Sequence, residues 1–315
     1  MRAHSSPQLR ECLLGAQEQT PSFISHGDDA RAELAAHTAA PGRASETLRQ
    51  LRRNSPEYLI EAWALGTFMV SAGVFATLFD YPGSPIYNAI ADPTLRRVLT
   101  GIAMGITAIA LIYSPWGRRS GAHMNPAVTL TFLRLGKVHK RDALFFMLAQ
   151  FTGGTLGVLL VAQLLGRAFT APPVSYAATL PGPHGATVAF VAETAISMMM
   201  IFTVLLISST PRMARFTGLA AGCLVAIWIA VEGPFSGMSM NPARSFASAA
   251  PALMWQSFWI YVTAPVIGML AGAELFLLTR RGAPPACAKL LHSLDQRCIH
   301  CGYEPPTSAP WSLHS

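Results

Sequence analysis

Two stretches of the chain, Ser120 to Ala127 and Ser236 to Ala243, share the pattern S-G-x-x-M-N-P-A. Their chemistry is uncharged hydrogen bonding. Pro126 and Pro242 suit the first position of a helix, where a missing N–H costs nothing. Asn125 and Asn241 then read as helix caps, each leaving an amide N–H₂ to point inward. Ala127 and Ala243 complete the two motifs, and Arg244 follows the second directly. His123 lies in the first loop, where it reads as lining a pore or, as a titratable imidazole, gating it. Glu61 and Glu193 are carboxylates set in apolar runs. Near the C-terminus, Cys298-x-x-Cys301-Gly302 resembles half of a zinc knuckle, with Cys287, His292 and His300 nearby. A lone C-x-x-C is a weak metal signal, so neither a metal nor a cofactor is expected.

The elements that must position these residues are membrane helices. Hydrophobic residues make up 51% of the 315 and charged residues only 12%, against about 25% charged in an ordinary globular domain. Mean hydropathy is +0.37. The +7 net charge does not point to nucleic acid, because Lys and Arg lie between apolar runs and not along one face. The five cysteines make no secreted disulfide framework, and Cys223 sits inside an apolar run. Nothing in the N-terminal region reads as a cleavable signal peptide.

Six runs are long enough to cross a bilayer: 58–79, 95–114, 142–165, 186–208, 213–231 and 255–279. Two shorter runs, 125–135 and 241–251, open at the Asn-Pro pairs. About 11 helical residues rise some 16 Å, half a bilayer, so these runs cannot span it. Basic residues flank the first on both sides: Arg118 and Arg119 before, Lys137, Lys140 and Arg141 after. A run that dips in and returns keeps both clusters on one face. The positive-inside rule makes that face cytoplasmic, with both termini on it. Arg96 and Arg97 are the awkward pair, falling outside. The second short run then enters from the opposite face.

The expected fold is therefore an all-α membrane protein, with six transmembrane helices and two re-entrant half-helices in an inverted repeat. Residues 1–54 read as a disordered cytoplasmic tail and 55–282 as the membrane domain, its halves near 55–167 and 186–282. Residues 283–315 read as a second cytoplasmic tail. Glu61 and Glu193 fall early in spans one and four, the equivalent places. Non-helical backbone at membrane depth must be buried or line a water-filled cavity. Two half-helix N-termini meeting there would repel cations and protons and offer donors to a neutral oxygen. The repeat describes a pore.

SGAHMNPAV and SGMSMNPAR, in six-span context, resemble the paired signature of the aquaporin and glycerol-facilitator family, the major intrinsic proteins. The resemblance covers residues 56 to 280. It also rests on Glu61, Glu193, the AQFTGG of span three with Gln150, and the APVIG of span six. It implies a homotetramer with a pore in each subunit. Glu61 and Glu193 would brace the loop backbone, and Arg244 would line the outward constriction. The span-two filter position falls at Met104 or Gly105, where water channels carry Phe. Ile229 stands where they carry His, and Met238 completes the set. This filter favours small neutral solutes beside water. Ser245 and Ala249 pull the other way, since glycerol facilitators carry Asp and a basic residue there. Tyr261 looks water-type, although Val262 replaces the expected Trp.

The expected function is a passive channel for water and small uncharged solutes such as glycerol, in a plasma membrane or, in a bacterium, the inner membrane. A strictly water-selective channel is the alternative. A secondary transporter would need coupling carboxylates, and only Glu61 and Glu193 lie deep enough. An enzyme would need a nucleophile–base pair or a complete metal set, and neither is evident.

Overall fold

The computed structural model describes residues 43–305, and the described secondary structure is helical throughout. Eight principal helices carry the fold. They are α1 (Arg43–Asp80), α2 (Pro93–Tyr113), α3 (Pro126–Arg134), α4 (Lys140–Leu165), α5 (Gly185–Ser208), α6 (Thr217–Val231), α7 (Pro242–Ala252) and α8 (Phe258–Thr279). All but α3 and α7 supply spans long and apolar enough to cross a membrane. Helices α3 and α7, with 9 and 11 residues, are the two half-helices.

The halves repeat each other in how they pack. In the first, α1 lies along α4; in the second, α5 lies along α8. Both seams depend on matched glycines. A methyl group on Gly153 of α4 would sit 2.0 Å from the Ala62 carbonyl oxygen of α1. One on Gly268 of α8 would sit 2.3 Å from the Thr194 carbonyl oxygen of α5. Small residues let membrane helices approach where apolar burial gives no preference over lipid. Each half-helix packs against the last span of the other half, α3 on α8 and α7 on α4. Helices α2 and α6 join the halves at Gly101, Gly105 and Gly222.

Hydrogen bonds identify which helix ends share a face. On one, Tyr58 and Asn54 of α1 donate to Asp142 at the start of α4. Arg119, just before the first loop, pairs with Glu57 at 3.3 Å. Arg134, just after it, pairs with Glu274 at the end of α8 at 2.8 Å. The first short run therefore enters and returns on the same face, which also carries Lys137, Lys140, Arg215 and Arg280. We call it the basic face. On the opposite face, Tyr261 at the start of α8 donates to the Ser236 carbonyl at 2.6 Å. Arg97 at the start of α2 donates to the Ala230 carbonyl at the end of α6 at 3.0 Å. Arg96 donates to the Ile90 carbonyl at 2.6 Å and lies over the Tyr87 ring. These bonds account for the awkward pair: both guanidiniums are held by backbone carbonyls.

Three features differ from the sequence reading. Residues 43–54 belong to α1 and not to a tail, since RASETLRQLRR is built largely of good helix formers. The expected tail 1–42 lies outside the described residues, as does Cys12. The segments before the motifs, assumed to be loop, contain short helices Pro115–Ser120 and Gly233–Ser236, each closed by a left-handed glycine, Gly121 and Gly237. Residues 283–305, assumed to be tail, fold back on the basic face and bury Ala288 and Leu290. Residues 306–315 are outside the described part.

Candidate functional site

The two repeated loops meet between the halves. Backbone φ is positive at Gly121, Ala122 and Met124, and again at the equivalent Gly237, Met238 and Met240. Left-handed backbone is uncommon for residues other than glycine and persists only where the surroundings fix it. Here the two buried glutamates fix it. Glu61 Oε1 accepts from Ser120 Oγ at 2.7 Å and the His123 N–H at 3.1 Å, and its Oε2 accepts from the Met124 N–H at 2.7 Å. Glu193 Oε1 accepts from Ser236 Oγ and the Ser239 N–H, both at 2.7 Å, and its Oε2 from the Met240 N–H at 2.8 Å. Gln150 adds a fourth donor to Glu61 at 2.8 Å. Pro265 stands at the equivalent place in α8 and offers no donor.

Each Asn caps its half-helix. Asn125 Oδ1 accepts from the Ala127 N–H at 2.8 Å, and Asn241 Oδ1 from those of Ala243 and Arg244 at 3.1 and 3.2 Å. The amide nitrogens cross between the halves. Asn125 Nδ2 donates to the Met240 carbonyl and Asn241 Nδ2 to the Met124 carbonyl, both at 2.7 Å. Sequence reasoning left both N–H bonds of each amide to the interior. The structure uses one for the seam, so one per amide remains.

A cavity of about 620 Å³ passes this seam. Near one end it is lined by Tyr87, Arg96 and Arg97, and near the other by His123 and Leu290. Both Asn residues and Arg244 line it between these ends. Met104, Ala108, Val204, Val225 and Ile229 make an apolar wall. The lining therefore joins polar groups from the loops to a hydrocarbon surface from the spans.

The expected filter residues are placed as follows. Met104, Ile229, Met238 and Arg244 all line the cavity. Gly105 instead faces α6, where a methyl group would lie 2.6 Å from the Gly222 carbonyl oxygen. Arg244 also donates through Nη1 to Thr179 Oγ1. Thr179 was not legible as a partner, because the irregular loop before α5 carries no motif. Pro126, Ala127, Pro242 and Ala243 are buried in the half-helix starts.

His123 lines the cavity but both ring nitrogens are engaged. Nδ1 lies 3.1 Å from Thr129 Oγ1 and Nε2 2.9 Å from the Ala288 carbonyl. The ring stacks between Phe132 and His300. Burial, with the adjacent His123, pushes His300 down to about 4. It is neutral near pH 7, and its Nε2 lies 2.9 Å from the Ser120 carbonyl. Cys298 and Cys301 come together with Cys287 and His292. Buried Glu57, which holds both Arg119 and Arg297, was also missed. Its second partner is too distant in sequence for any local pattern to reveal.

Two half-helices from opposite faces, meeting over a lined cavity, define an inverted-repeat membrane channel. The family profile described as Major intrinsic protein matches residues 55–276. Aquaporin NIP2-3 of Zea mays is 36% identical over 229 residues, covering 71% of this chain and 73% of that protein. Aquaporin NIP1-2 of Arabidopsis thaliana is 32% identical over 212 residues, covering 66% and 71%. The X-ray structure of the aquaglyceroporin from Plasmodium falciparum shares the fold at TM-score 0.57 and 19% identity, covering 70% of this chain and 95% of that one. The chain belongs to the major intrinsic protein family, and it is an integral, multi-pass membrane protein.

Proposed function

We propose that the chain is a passive channel for water and small uncharged solutes such as glycerol, and that it excludes ions and protons. The lining of the cavity carries this reading. A polyol passing the seam meets donors and acceptors on the loop side and a hydrocarbon wall at Met104, Ile229 and Val225. The free N–H of Asn125 and that of Asn241 orient the passing oxygen. Arg244 and the two helix N-termini oppose cations. Met104, Ile229, Met238 and Arg244 form the filter; neither Phe nor His narrows it. The NIP aquaporins and the aquaglyceroporin named above are consistent with this cargo.

The basic face is assigned to the cytoplasm, in a plasma membrane or a bacterial inner membrane. We also assign a homotetramer with a pore in each subunit: family membership supports the tetramer, and a cavity lined within one chain suits a pore per subunit. Catalysis has no part in this reading. The test is stopped-flow light scattering on proteoliposomes. Shrinkage under an impermeant osmolyte should be faster than in empty liposomes, and re-swelling under glycerol faster as well. Fast shrinkage without faster glycerol re-swelling would show a water-selective channel. The absence of both responses would overturn the reading.

A further inference from the structure

Residues 283–305 contain no regular helix or strand, yet they hold a defined course across the basic face. The Leu290 N–H donates to the Gly121 carbonyl at 3.2 Å. The Ala288 carbonyl meets His123, and His300 stacks on the same ring at 5.5 Å. Arg297 donates to the Arg53 carbonyl at 2.8 Å. Leu290 is buried and lines the end of the cavity nearest this face. Ordering so short an irregular segment costs about 1–2 kcal/mol of backbone entropy per residue. Little apolar area is available here to offset that cost.

A side-chain cluster supplies what the backbone lacks. The Sγ atoms of Cys287, Cys298 and Cys301 and a ring nitrogen of His292 all lie within 4.8 Å of one another. Cys287 Sγ and Cys298 Sγ are 3.5 Å apart, and His292 Nε2 and Cys301 Sγ are 3.3 Å apart. The sulfur pair is too far apart for a disulfide, whose bond is about 2.05 Å. It is near the ~3.8 Å edge of a tetrahedron with zinc–sulfur bonds of about 2.3 Å. The turn is shaped for such a site. Gly302 has φ +76° and its N–H donates to the Cys298 carbonyl at 3.1 Å. The Cys298 N–H in turn donates to the Tyr303 carbonyl at 2.8 Å. If the basic face is cytoplasmic, its thiols meet a reducing medium that favours metal binding over disulfides.

We propose that Cys287, His292, Cys298 and Cys301 bind Zn²⁺, and that the loaded site holds residues 283–305 as a cap seating Leu290 at the inner mouth of the pore. The metal site stands on its own geometry; the cap rests on the channel reading. Full-length protein in detergent, stripped with a chelator, is titrated with Co²⁺ in place of Zn²⁺. The expected result is about one tetrahedral Co²⁺ per chain, with thiolate charge-transfer and visible d–d bands that Zn²⁺ abolishes. Cys298→Ser should weaken binding at least tenfold, and Cys223→Ser should leave it unchanged. Absence of these bands in the wild-type protein overturns the metal site whatever the variants do.

The cap is read in proteoliposomes of the same wild-type protein. Stripping the metal should raise water permeability, and Zn²⁺ should lower it again. Equal permeability with the site full and empty overturns the cap. No water flux in either state, with the cobalt spectrum intact, overturns the channel reading and the cap but upholds the metal site.

Discussion

Glu61 and Glu193 show how single residues make the loops possible. Each carboxylate takes donors that would otherwise be buried and unpaired, at about 1–3 kcal/mol per group. Replacing Glu61 by Ala strands the His123 and Met124 N–H groups, the Ser120 hydroxyl and one Gln150 amide N–H, the other still reaching Thr129. Glu193→Ala strands one donor fewer. Both variants should lose several degrees of thermal stability in detergent, Glu61→Ala more, and Glu61→Gln should recover part of the loss. Wild-type melting of both Ala variants would remove the bracing role. Arg244 is predicted to act on flux. Arg244→Val should raise glycerol permeability roughly two- to tenfold and admit a proton leak, because it removes the charge and the donor that directly follow the second Asn-Pro-Ala motif. A pH-sensitive dye inside the liposomes measures the leak; unchanged flux and leak would take Arg244 out of the filter.

Much of this scale was legible in the sequence. The Asn-Pro-Ala pairs, the two glutamates and Arg244 were visible because a charge or a Pro in an apolar run needs a reason. The bonds from the Asn125 and Asn241 amides to the Met240 and Met124 carbonyls were not, because they depend on backbone conformations that no residue type announces. The ambiguity between Met104 and Gly105 is of the same kind. Adjacent residues on a helix face different neighbours, and only the packed seam of α2 and α6 directs Gly105 away from the cavity.

Helices are held to one another at glycines, and the cost of filling those places differs sharply from that of a glycine in a turn. Gly153 lies under the Ala62 carbonyl, whose oxygen would sit 2.0 Å from an added methyl group. Backbone cannot yield there as a flexible side chain would, so Gly153→Val should force α1 and α4 apart. Overpacking costs about 1–3 kcal/mol or more, and the yield of monodisperse protein should drop severely. Gly136, in the turn after α3, has open space around it but φ +69°. Gly136→Ala should cost about 1–2 kcal/mol for the left-handed backbone alone, leaving yield and flux closer to wild type. Size-exclusion profiles of the two variants decide the point; equal yields would contradict the seam.

Apart from the start of the first, which α1 extends back to Arg43, the spans could be placed from hydropathy within a few residues, because membrane helices must be long and apolar. The half-helices followed from being too short. The short helices Pro115–Ser120 and Gly233–Ser236 escaped notice because Pro and Gly punctuate them and neither is long enough to show a period.

The described part of the molecule is a repeat that carries an asymmetry at its C-terminal end. Its halves match in seams, glutamates and half-helices, and together they enclose a cavity within a single chain. The asymmetry lies on the basic face, where residues 283–305 pack against the first loop. Composition alone could not predict that docking. The segment is polar, and its contacts reach residues more than a hundred positions away.

The central claim is passive conduction, and the rival is a coupled transporter built from a similar repeat. The measurement that separates them is glycerol flux into proteoliposomes as a function of gradient and temperature, with and without a proton gradient. A pore predicts flux linear in the gradient, weakly dependent on temperature and indifferent to protons. Saturation at low glycerol, or flux that rises with an imposed proton gradient, would contradict it.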